Sequence, residues 1–150
     1  MKTLKFFGIM LFSASLFAGT INKDVPKAVK DAFDKKFPNA KSVSWDQENQ
    51  SEWEAEFKME GMDYSANFDN QGTWKETEHE IKESDVPQNV MASLKKKFSD
   101  YKIKESEISE TSSGMVYEFE VKKSGKTMEI AIDENGKIVN RESVDEEDEN

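Results

Sequence analysis

A chain of 150 residues with 35% hydrophobic and 35% charged positions, including ten Phe, three Trp and three Tyr, can build one sizeable core or two small ones. It has no cysteine, which excludes disulfides, thiolate metal sites, a catalytic thiol and a lipid-modified N-terminal cysteine. Its formal charge of −10 disfavours nucleic acid and anionic membrane as partners and favours basic ones.

Residues 1–18 read as a signal peptide: Lys2 and Lys5 give a basic start, residues 6–17 an apolar stretch, and Ala18-Gly19 a small-residue cleavage point. The apolar run is shorter than the ~20 residues that cross a bilayer. The protein is therefore expected to be exported, periplasmic or extracellular, with no membrane span once the leader is removed. Removal takes two lysines and no acid, leaving 19 basic against 31 acidic residues and a formal charge of −12.

Asp24-Val25-Pro26 opens a helix, because proline tolerates the first turn and Asp24 favours the positive end of the dipole. Val29, Ala32, Phe33 and Phe37 recur at helical spacing, and Pro38 ends the element. Val43 and Trp45 mark a first strand before a polar turn around residues 48–51. Trp53, Ala55, Phe57 and Met59, then Met62, Tyr64, Ala66 and Phe68, alternate as half-buried antiparallel strands do. The pattern closes on Phe68-Asp69-Asn70-Gln71-Gly72. There Asp69 accepts N–H groups from the residues that follow, and Gly72 takes the positive φ of a three-residue hairpin loop, pairing Phe68 with Trp74.

The same order then returns. Asp85-Val86-Pro87 starts a second helix with Val90, Leu94 and Phe98 on one stripe, and Ile103 and Ile108 mark a strand. Met115, Tyr117, Phe119 and Val121, then Met128, Ile130 and Ile132, alternate up to a second Asp-x-x-Gly turn at Asp133 and Gly136, which pairs Ile132 with Ile138. The offset between copies is 61 at the helices and 64 at the turns, so three residues are inserted in a loop. The expected fold class is α+β, with two tandem helix-plus-antiparallel-meander units at residues 22–83 and 84–142 and both helices on one face of a curved antiparallel sheet. Residues 143–150, with five successive acids at 145–149, read as an acidic disordered tail.

No catalytic motif accompanies the single histidine, His79, which reads as a solvated residue beside Glu78 and Glu80, so no enzyme activity is expected. The turns at Asp69 and Asp133 resemble the start of a calcium loop but lack its remaining ligands. No metal site and no cofactor are expected, beyond weak divalent-cation binding by the tail. If Trp53, Ala55 and Phe57 point inward, Glu52, Glu54 and Glu56 point outward, joined by Asp63 across the hairpin and by Glu118, Glu120 and Glu129 in the second unit. These seven acids are the candidate partner-binding residues. They either keep the sheet soluble or form a rigid acidic platform for a basic protein or peptide.

The Val-Pro helix starts, the Phe-Pro-Asn-Ala exit at residues 37–40, and the Trp-Glu-Ala-Glu-Phe and Phe-Asp-x-x-Gly-x-Trp strands resemble the secreted PepSY-like, β-lactamase-inhibitor-like family of Bacteroidetes. The likeness covers residues 22–142 and departs from the pattern at Ser99-Asp100-Tyr101, where the Pro-containing exit is replaced. The resemblance implies a tandem repeat with a role in binding or inhibiting another protein, and it supplies no catalytic residues. The expected function is a non-enzymatic protein-binding module; the alternative is an acidic cation-binding or structural envelope protein.

Overall fold

The computed structural model describes residues 24–144, so the expected signal peptide and the acids at 145–149 lie outside the described residues. Helix α1 (Lys27–Lys36) is followed by β1 (Lys41–Asn49), β2 (Glu52–Met59), β3 (Met62–Asp69) and β4 (Trp74–Glu80). A 3-10 turn (Glu83–Asp85) leads into α2 (Gln88–Lys97), then β5 (Lys102–Thr111), β6 (Gly114–Lys123), β7 (Lys126–Asp133) and β8 (Ile138–Val144). All eight strands form one antiparallel sheet in sequence order.

Each helix is short and is held by what it buries rather than by its ends. Val29 and Phe33 of α1, with Phe37 just beyond, enter a core made with Trp53, Ala55, Phe57, Tyr64, Ala66 and Phe68. The Phe33 ring meets Phe57 and Trp45 edge-on at centroid distances of 5.1 and 5.2 Å. Val90, Leu94 and Phe98 do the same over Tyr117, Phe119, Val121, Met128, Ile130 and Ile132. At the helix start, the Pro26 carbonyl accepts the N–H groups of Val29 and Lys30 at 3.0 and 3.1 Å. Asp24 is not part of that turn, since neither α-helix has an acid in its first turn.

The Asp-x-x-Gly turns form as expected. Asp69 Oδ1 accepts from Gln71 and Thr73 N–H at 3.0 and 2.8 Å, and Asp133 Oδ1 accepts from Asn135 and Lys137 at 3.0 and 2.9 Å. Gly72 and Gly136 sit at φ 81° and 80°. A second reason for glycine is spatial: a Cβ at Gly72 would lie 2.4 Å from the Ala28 carbonyl oxygen, and one at Gly136 would lie 2.8 Å from Ser93 Oγ. Each hairpin loop is pressed against the helix that precedes it, and Asn89 Nδ2 clips the second pair by donating to the Glu134 carbonyl at 2.9 Å.

His79 differs from the expectation. Strand alternation sends it to the helix side, opposite Glu78 and Glu80, where it pairs with Ile108 and its ring lies 4.7 Å from that of Tyr64. Its burial there lowers its pKa.

Candidate functional site: an acid-lined sheet face

The apolar side chains of both cores occupy one face of the sheet, so alternation delivers the intervening polar residues to the other. Register then decides which of them meet. Glu54 lies between Asp46 and Asn67, and Glu56 between Ser44 and Ser65. Ser65 faces Glu78, Glu78 faces Ser109, and Glu80 faces Glu107. Glu107 faces Glu118, Glu105 faces Glu120, Glu120 faces Glu129 and Glu129 faces Glu142. A band of glutamates therefore crosses the sheet, interrupted by small polar side chains and by the buried Val116 and Ala131.

The expectation that these acids stand in solvent does not hold. Glu52, Glu54, Glu118 and Glu129 are only 6–7% exposed, and Glu56 and Glu120 are half-buried. No described helix covers this face. Strands in a sheet lie about 4.8 Å apart, so each of these acids has side chains of the adjoining strands on its flanks. Ser109, itself 1% exposed, lies between Glu78 and Val116 in the register, and its hydroxyl donates to Glu76 Oε2 at 3.3 Å. Carboxyl groups from β4 and β6 thus interact across β5.

Burial shifts the protonation of the group. Loss of water, then the charges of Glu78, Glu76, Glu107 and Glu129, push Glu118 up to about 9. Burial followed by Glu76 and Glu107 raises Glu78 to about 8, against hydrogen bonds from Ser109 and Ser65 that pull it down. Glu107 and Glu129 rise to about 7, in both cases through burial first and neighbouring carboxylates second. Glu54 is raised by burial and then by the adjacent Glu48, with Glu56 and Glu78 adding to it. At neutral pH the centre of the face holds protons where the sequence suggests a uniform negative charge. Glu118 Oε2 is buried without a hydrogen-bond partner.

Of the seven acids singled out from sequence, Glu54 and Glu118 are linked through Glu78, which interacts with both. Glu120 and Glu129 lie toward β8. Glu52 sits at the end of β2, where Asn49 Nδ2 donates to it at 3.3 Å. Asp63 stands apart at a strand end, paired with Lys58 at 2.6 Å and exposed. Glu48, Glu76, Glu78, Glu105 and Glu107 belong to the face but are not among the seven. Their signal was present in the alternations Glu76-Thr77-Glu78 and Glu105-Ser106-Glu107; the pairing of β4 with β5 that unites them was not.

Among the described residues no group of three or more His, Asp or Glu side chains is arranged to hold a metal ion. No described helix is long and apolar enough to cross a membrane. His79 lies on the opposite face, so among the described residues this face presents carboxyl groups and the hydroxyls of Ser44, Ser65 and Ser109.

The solved structures with a similar fold include a DUF2874 family protein from Bacteroides uniformis ATCC 8492, 22% identical with a TM-score of 0.73, covering 79% of this chain and 89% of that one. A BLIP-like protein from Bacteroides fragilis NCTC 9343 is likewise 22% identical at a TM-score of 0.73, covering 86% and 94%. A "putative periplasmic" protein from Bacteroides eggerthii DSM 20697 is 20% identical at 0.73, covering 81% and 91%. No curated protein matches the chain. The family model described as "Putative beta-lactamase-inhibitor-like, PepSY-like" matches residues 20–63 and 51–140, which include both helices and nearly the whole sheet. By that match the chain belongs to the PepSY-like, β-lactamase-inhibitor-like family.

Proposed function

We propose that the protein is an exported, non-enzymatic binding module, inhibitor-like in mode, that receives a basic segment of another protein on its acid-lined sheet face. The observation that carries this is the division of labour between the two faces. One is filled by the helices and their cores; the other gathers buried acids under no described element. Buried carboxyl groups without counter-charges destabilise a fold, and a face that keeps them is explained by a partner that supplies the charge. Export is supported by the leader-like residues 1–18 and by the "putative periplasmic" description of one similar structure. The order helix, four strands, helix, four strands supports reading residues 22–83 and 84–142 as two copies of one unit that share a sheet.

Photo-crosslinkers placed singly at the half-buried Glu56 and Glu120, and at Lys30 and Ala92 on the outer helix surfaces, test this in the protein's own envelope fraction. Adducts to a basic protein from the two sheet positions, lost at high salt, are expected. Adducts confined to the helix positions would overturn the assignment of the face.

A further inference from the structure

Resting on the binding reading above, we propose that Glu78, Glu107 and Glu118 form a slot for one guanidinium group, the side chain of an arginine in the partner's basic segment. Two observations converge on it. The carboxyl groups come from three adjacent strands, β4, β5 and β6: Glu107 is paired directly with Glu118, Glu78 sits one pair along beside Ser109, and the charges of Glu78 and Glu107 both act on Glu118. Glu118 is 6% exposed, yet its Oε2 has no hydrogen-bond partner, so the group contains a buried carboxyl oxygen left unused.

Guanidinium fits this arrangement better than ammonium. Its planar fork of five donors can engage carboxylates on more than one strand at once, and it sheds water more readily than the compact lysine ammonium. The other charged groups that face the slot are also acids: Glu76 and Glu80 from β4, Glu105 from β5 and Glu129 from β7. They draw a cation inward but donate nothing to the orphaned oxygen.

Occupation must release protons, because Glu118 and Glu78 hold theirs to about 9 and 8 in the empty site. Each proton released on binding makes affinity rise with pH, by up to about tenfold per unit, until the free carboxyl groups are ionised. Binding should therefore strengthen from pH 6 to 9 and level off above that.

The test uses acetylated, amidated Gly-Arg-Gly, with Gly-Lys-Gly and Gly-citrulline-Gly as controls, titrated into the isotope-labelled protein and followed by amide shifts. The arginine peptide should shift β4, β5 and β6, bind several-fold tighter than the lysine peptide, and gain affinity between pH 6.5 and 8.5, while the citrulline peptide gives no response. Glu118→Gln and Glu78→Gln, which keep side-chain volume, should each abolish the arginine preference, whereas Asp63→Asn should not. Equal affinity for arginine and lysine, affinity independent of pH, or binding unchanged in both Gln variants would overturn the slot. Crosslinking from Glu56 and Glu120 would then still stand or fall by itself, so loss of the slot and loss of the binding face are separable results.

Discussion

At the scale of single residues, Glu118 shows how a polar group can sit correctly by alternation and wrongly by exposure. Parity alone places it opposite Phe119, and that much was legible in the sequence. Its burial depends on Glu78 and Glu107, which arrive from strands whose pairing no local pattern announces. Removing the charge without the volume should relieve the site: Glu118→Gln is expected to raise the melting temperature at pH 9 and to change it little at pH 5, where the parent carboxyl group is already protonated. Parallel thermal melts at the two pH values check it. The glycines provide a second residue-level contrast. Gly72→Ala would drive a Cβ against a backbone carbonyl, whereas Gly136→Ala meets first the Ser93 hydroxyl, a side chain that can rotate. Both carry the strain of positive φ, roughly 1–3 kcal/mol. Gly72→Ala should be the more damaging in denaturant unfolding, and Ser93→Ala should recover part of the loss in Gly136→Ala but none in Gly72→Ala.

At the scale of elements, the helices are legible from apolar spacing and the hairpins from alternation and turn chemistry, because both signals lie within about ten residues of chain. Asp69 and Asp133 accept the very N–H groups that an Asx turn requires. The junction of β4 with β5 leaves no such trace. It joins strands separated by a 3-10 turn and a helix, and its register, Glu78 opposite Ser109 and Glu80 opposite Glu107, is fixed by tertiary packing. That junction removes one open edge from each four-stranded half, and it also completes the acid face. The helices, by contrast, are held by the few large side chains that each buries. Phe33→Ala should cost about 3–5 kcal/mol, since it empties the contact among α1, Trp45 and Phe57, and chemical denaturation will measure it.

At the scale of the whole molecule, the acid face reverses the usual dependence of stability on pH. The carboxyl groups that matter have folded pKa values above the ordinary 4.5: about 9 for Glu118, about 8 for Glu78 and about 7 for Glu107 and Glu129. The folded state therefore binds more protons than the unfolded chain between pH 4.5 and 9. Their favourable contribution is complete below about pH 4.5 and is lost as pH rises through 7 to 9. Asp69 acts in the opposite sense: burial alone would raise it, but the N–H groups of Thr73 and Gln71 and the charge of Lys75 hold it below the usual range, so its contribution is lost in acid. The melting temperature should peak in the mildly acid range and fall toward pH 9, and a basic partner should flatten that fall by neutralising the ionised face.

The most direct measurement is a carbon-detected NMR titration of the glutamate side-chain carboxyl groups from pH 3 to 10. Glu118 is expected to titrate near 9 and Glu78 near 8, with Glu107 and Glu129 near 7. A Glu118 carboxyl group that ionises near the ordinary 4.5 along with exposed acids would contradict the buried, proton-holding face on which the account depends.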